Sequence, residues 1–152
     1  MSEATATGDT FIVLSVAGTA YAVRSNDVMH MEMLENVTRV PNAAPFVDGV
    51  VFSRGQVVPA VNLRARFGFE RAPYDVRTRL VVVSTAGRSV GLVVDEGREF
   101  VRLADSAICP PQESLAGMSG QYVKGIAAVN GRLILVLDLE NLLNFSEPLV
   151  AA

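Results

Sequence analysis

Phe46–Leu63 reads FVDGVVFSRGQVVPAVNL, and Tyr122–Leu139 reads YVKGIAAVNGRLILVLDL. With a constant offset of 76 the two align without a gap, so Gly49 falls on Gly125, Gly55 on Gly131, Asn62 on Asp138 and Leu63 on Leu139. A second pair precedes them. Leu14–Val23 (LSVAGTAYAV) matches Val83–Leu92 (VSTAGRSVGL) with an offset of 69. Two blocks recurring in the same order point to an internal duplication.

Working outward from these blocks, Phe11–Val16, Gln56–Val61, Leu80–Ser84, Val90–Val94 and Arg132–Leu137 are short aliphatic, β-branched runs bounded by Gly, Asn or Ser, and read as strands. Gly18 and Gly87 mark tight reversals. Asn130-Gly131, between Ile126–Val129 and Arg132–Leu137, is a two-residue hairpin signal. After the last strand of each repeat come Asn62-LRARF and Asp138-LENLL, N-cap residues followed by short helices. The polar stretch Gly68–Arg79 joins the halves, and Ala104–Gln121, with Pro110-Pro111, reads as a surface loop. Close-spaced short strands, repeated twice, predict a mainly β protein of two small barrels packed together. Either half alone, about 70 residues, makes a marginal domain, so one cooperative unit with a shared core is expected.

The 152 residues are half apolar and 19% charged, with a net charge of −3. That balance fits one globular domain and offers no general attraction to nucleic acid or anionic lipid. A lone cysteine, Cys109, excludes a disulfide within the chain and fits a reducing, cytoplasmic compartment. The first residues, MSEATATGDT, lack the basic and apolar regions of a signal peptide and read as a disordered tail. The expected layout is a tail over residues 1–9, a single domain over 10–145 and a short tail over 146–152. Apolar runs such as Leu133–Leu137 are too short to span a bilayer, so no direct membrane insertion is expected.

Few residues suit catalysis. His30 is the only histidine, and no phosphate-binding loop, nucleophile elbow or zinc-spaced cluster is present. A duplicated aspartic protease would place two carboxylates in Asp-Ser/Thr-Gly settings, whereas here Asp138 matches Asn62 and neither is so followed. Helix capping explains both. Met29-His30-Met31-Glu32-Met33 has soft-metal donors, but if extended it puts the three methionines on one face as core or adaptable contact surface. No enzyme, metal or cofactor is therefore expected. Cys109 reads as a small semi-buried hydrophobe, and Asp27, Glu32 and Asp48 as surface charges.

Arg54 stands out. The repeat matches it to Asn130, at a turn position that requires positive φ, where arginine is strained by about 1 kcal/mol. A broken local rule without structural gain marks a contact group on a rigid turn.

At this point Arg54-Gly55-Gln56-Val57-Val58-Pro59-Ala60-Val61-Asn62-Leu63-Arg64 resembles the signature of CheW-like domains, a strand-turn-strand with Asn-Leu-Arg-Gly, apolar residues, Pro-Val and Asp-Leu-Arg. Phe11–Val16, Tyr21–Val23, Val37–Pro41, Phe46–Gly49, Val90–Asp95, Tyr122–Gly125 and Leu133–Leu143 follow in family order, so the resemblance covers Thr10 to Phe145. It implies two five-stranded SH3-like barrels around a shared core, without catalysis. It implies as partners the regulatory domain of a CheA-type histidine kinase and the cytoplasmic tip of a methyl-accepting chemoreceptor. The partner-contact positions it implies are Val28, His30, Met31, Gly49, Ser53, Arg54 and Gly55. This chain differs from the common pattern in having His30 for Glu, Phe52-Ser53 for Asn-Leu and Asn62 for Asp. A protonated His30 facing Arg54 would then repel it. The array served is either that of chemotaxis or a paralogous one for surface motility or development. The rival class, a barrel binding a small molecule or single-stranded nucleic acid, meets a chain with 7% aromatic residues, no Trp and negative charge.

Overall fold

The structure, a computed structural model, describes residues 8–85, 87–110 and 122–144. The tails expected at both ends lie outside them, apart from Gly8 and Asp9, as does the part of the Ala104–Gln121 loop beyond Pro110. Among the described residues ten strands form: β1 (Asp9–Val16), β2 (Thr19–Arg24), β3 (Val28–Met33), β4 (Val47–Ser53), β5 (Gln56–Asn62), β6 (Arg79–Thr85), β7 (Arg88–Val94), β8 (Glu96–Leu103), β9 (Val123–Val129) and β10 (Arg132–Leu137). Two one-turn helices, α1 (Leu63–Arg66) and α2 (Leu139–Leu142), follow β5 and β10. No helix among the described residues is long and apolar enough to cross a membrane.

The strands make two five-stranded sheets, ordered β8-β1-β2-β10-β9 and β3-β6-β7-β5-β4. Replacing each strand of the first half by its counterpart five places on converts one order into the other, so the duplication is realised as a structural pseudo-symmetry. The halves nevertheless exchange strands. The first sheet takes β1 and β2 from the first half and β8, β9 and β10 from the second, and the second sheet does the converse. Each sheet joins the halves twice, through a parallel pair, β2 with β10 or β7 with β5, and through an antiparallel one, β1 with β8 or β6 with β3, and the other ladders are antiparallel as well. Neither half can complete a sheet without strands of the other. The sheets are curled, and their outer strands do not close by a ladder.

Local signals explain the repeated units. The β4–β5 turn holds Arg54 at φ 49° and Gly55 at 86°, and the β9–β10 turn holds Asn130 at 52° and Gly131 at 79°, two successive left-handed residues at each tip. Asn62 Oδ1 accepts from the Ala65 amide and Asp138 Oδ1 from the Asn141 amide, each at 3.2 Å, so both predicted caps form. The Asn62 and Asp138 amides donate to the Phe46 and Tyr122 carbonyls, each at 2.8 Å.

Packing is threefold. Phe11, Val13, Leu103, Ala127, Ile134 and Val136 fill the first sheet's curl, and their repeat counterparts Leu80, Val82, Leu34, Val51, Val58 and Ala60 fill the second. Between the sheets lies a larger shared core with Leu14, Val16, Tyr21, Val83, Leu92, Leu63 and Leu142. Burying such side chains stabilises by about 1.5–3 kcal/mol each before entropy is counted. At the junction the Arg66 guanidinium lies 4.6 Å from the Phe46 ring and 4.9 Å from that of Tyr122, which are repeat equivalents. Its Nε donates to the Leu142 carbonyl at 3.0 Å.

Candidate partner-binding site

The predicted site residues fall on β3, on β4 and on the turn after β4. Along β4 the side chains alternate, so Ser53 points inward at 2% exposure and Phe52 outward at 72%. Phe52 lies opposite Val57 of β5, itself 63% exposed, which gives the tip an apolar outer face. Arg54 projects from the apex, exposed and with no hydrogen bond or ion pair to a described residue. A Cβ on Gly55 would meet nothing within 4 Å, so glycine is needed there for its φ alone. Gly49 is different. At φ 151° its Cβ would stand 2.2 Å from the Thr38 carbonyl oxygen. It therefore fixes a close backbone approach within the sheet and presents no contact group of its own.

On β3, His30 Nε2 lies 2.8 Å from Glu32 Oε2 and 2.8 Å from Ser53 Oγ, and the Ser53 hydroxyl donates to the same Glu32 oxygen. This corrects the expectation that His30 faces Arg54, because the imidazole is 8% exposed and satisfied by Glu32 and Ser53. The ring is not a proton relay. One imidazole nitrogen serves both partners, and the serine proton goes to the carboxylate, whereas nucleophile activation needs serine on one nitrogen and carboxylate on the other.

Val28 and Met31 pack against the shared core. The methionines do not act as one stripe. A β-bulge between Val28 and His30 interrupts the alternation at Met29, whose sulfur accepts from Ser89 Oγ at 3.2 Å. Met29 and Met33 are half exposed, and Met31 alone joins the shared core. The structure thus joins the His30 segment to the Ser53–Gly55 tip and leaves Gly49 apart from both.

Three other readings change. Cys109 is exposed, although its backbone bridges to Ile126. Glu32 belongs to the polar ring. Asp48 is an anchor, accepting from Asn62 Nδ2 at 2.8 Å, Arg71 Nε at 2.9 Å and the Tyr74 hydroxyl, and so pins the connecting stretch to the second sheet. Burial first, then the bond to Asp48, holds the Tyr74 phenol well above its ordinary range. An open groove of about 730 Å³ runs beside this anchor, lined among others by Glu35, Val37, Arg39 and Tyr74.

An internally repeated pair of curled five-stranded sheets, with an arginine on a constrained apolar tip, defines an SH3-like binding scaffold. The sequence matches the CheW-like domain over residues 10–147, and the chain belongs to that family. It is 29% identical over 140 residues to chemotaxis protein CheW of Klebsiella aerogenes, covering 92% of this chain and 84% of that one. With chemotaxis protein CheW of Bacillus subtilis it shares 28% over 138 residues, covering 91% and 88%. With protein FrzA of Myxococcus xanthus it shares 29% over 143 residues, covering 93% and 86%. The crystal structure of the scaffolding protein TtCheW from Thermoanaerobacter tengcongensis superposes with a TM-score of 0.85 at 24% identity, covering 94% of this chain and 97% of that one, which bears out the fold.

Proposed function

We propose that this chain is a non-catalytic adaptor coupling methyl-accepting chemoreceptors to a CheA-type histidine kinase in chemotaxis-type signalling. It acts in the cytoplasm as one domain over residues 10–145, and it reaches the membrane only through its partners. The observation that carries this reading is Arg54, held at φ 49° on an exposed apolar tip and engaged by no described residue. A strained, presented guanidinium flanked by Phe52 and Val57 suits docking to a protein surface, since arginine and aromatic groups anchor interfaces. Ser53 and His30 set that tip's position, Gly55 permits its turn, and Val28 and Met31 support β3 beside it.

The test is a titration of the original chain and of Arg54→Asn against the kinase regulatory domain and against the receptor tip. Loss of binding to either, with the melt unchanged, supports the reading, and full binding to both overturns this choice of site. The identity with FrzA equals that with the Klebsiella CheW, which keeps a paralogous array in play. Which kinase accompanies the chain out of its native cytoplasm separates the two.

A further inference from the structure

In the second sheet, β3 and β4 are the outer strands and share no ladder. The chain beyond β3 meets β4 once, where Thr38 and Val50 exchange amide hydrogen bonds of 2.9 and 2.8 Å. Nearer the hairpin tip the join is made by side chains, the ring of His30, Glu32 and Ser53. The first sheet repeats the backbone exchange at Cys109 and Ile126, at 2.9 and 2.8 Å. There, however, Val101 and Val129 stand where Glu32 and Ser53 stand, and both pack on that sheet's inner core. Glu99, the counterpart of His30, instead pairs with Arg132 at 3.1 Å. The same topology is thus joined at one tip by apolar packing on the core and a half-exposed ion pair, and at the other by three polar groups.

We propose that the His30–Glu32–Ser53 ring is a releasable clasp, which holds the β4–β5 tip against β3 and opens locally while the rest of the sheet stays folded. Two facts carry this. Glu32 keeps a third of its side-chain surface in water, so solvent is at hand to replace each hydrogen bond as it breaks, and the net loss is small. Drawing Val101 and Val129 off their core into water has no such replacement. Behind the ring, Val51, Val58, Leu80 and Val82 with the Thr38–Val50 exchange hold the sheet independently. Opening is therefore confined to the tip, the kind of low-stability unit that opens ahead of the global fold. Ser53 is a positioning residue for Arg54, its neighbour in the chain, and the clasp sets whether Arg54, Phe52 and Val57 stand still or swing.

Amide hydrogen exchange on the full chain tests this without any partner, so its failure leaves the coupling proposal standing. Ser53→Ala should speed exchange over residues 52–57 about tenfold, the protection lost with roughly one net hydrogen bond. At Val82 and Leu92, in the sheet's middle, it should change exchange less than about twofold. Glu32→Gln, which keeps the size but removes the charge, should give a smaller rise at the tip. Converting both Ser53→Val and Glu32→Val copies the first sheet and should return the tip to slow exchange. An unchanged tip in Ser53→Ala, an equal rise at Val82 and Leu92, or a Ser53→Ala chain that does not fold would each overturn the proposal.

Discussion

The two sheets share a strand order, a turn geometry and a cap, yet they differ at the hairpin tip. One tip carries Asn130-Gly131, the standard answer to two successive positive φ angles, with Ala128 and Leu133 on its outer face. The other carries Arg54-Gly55 with Phe52 and Val57 outside and a polar ring within. Where two copies of one design occupy equivalent environments, folding alone accounts for what they share. What they do not share is the surplus over folding, and here the surplus collects at Arg54 and the ring beneath it.

The largest effect expected from testing that comparison lies at the paired glycines. Gly49→Ala should destabilise by about 3 kcal/mol, because its Cβ would be driven into the Thr38 backbone at a φ that L residues avoid. Gly125→Ala would meet Cγ2 of the Ile108 side chain at 2.3 Å, without a backbone atom so near and without a left-handed φ, so a smaller loss of about 2 kcal/mol is expected. Thermal melts of both variants decide it, and equal losses would mean that the two close approaches are equivalent after all. Next comes Arg54→Asn, which makes the two tips alike. Affinity for the kinase domain or receptor tip should fall by about 2 kcal/mol, roughly thirtyfold.

A third prediction uses an ion pair that the repeat lacks. Arg64 Nε and Nη2 reach Asp95 at 2.7–3.1 Å, and Asp95 also accepts from the Ala17 amide at 2.8 Å. Their counterparts are Glu140 and Asn26, which carry no such pair. Burial pushes the Asp95 carboxyl up, but the Arg64 bond, the Ala17 amide and the Arg64 charge together pull it below its ordinary range. Being depressed in the folded state, it contributes stability at neutral pH that fades as pH falls through the acidic range towards the folded value. Asp95→Asn should thus cost about 1 kcal/mol at pH 7, with solvent screening allowed for, and the gap to the original chain should narrow in acid. A gap constant with pH would sink this account. The smallest effect is the melt of Arg54→Asn, which should shift stability by about 0.5 kcal/mol or less, with relief of the φ strain favouring the variant.

Legibility followed range along the chain. Hairpin turns, caps and buried strands were readable because their causes lie within a few residues, as at Asn130-Gly131 and Asn62. Edge strand β8, EGREFVRL, was not assigned, since charged side chains guard an exposed edge and dilute the strand signal. The exchange of strands between halves was hidden because an offset reports equivalence and says nothing of pairing. His30, Glu32 and Ser53 were each visible singly, but the bond from 30 to 53 is tertiary, and only Ser53 in place of the usual leucine hinted that the wall there is polar. Cys109 is exposed where its residue type suggests partial burial, because composition cannot tell a bridge residue facing solvent from one facing the core.

The exchange of strands also decides what becomes of the chain if it is cut. A nick in the connection between α1 and β6 would leave two fragments, each with five strands and neither able to complete a sheet. β1 and β2 would lack β8 and β10, and β6 and β7 would lack β3 and β5. Mixed, they would fold only in each other's company, as a bimolecular reaction whose extent rises with concentration. In the intact protein the stretch from Phe67 to Thr78 makes that encounter intramolecular, at an effective concentration in the millimolar range for a short tether. A passage that carries no strand is what turns two dependent halves into one molecule.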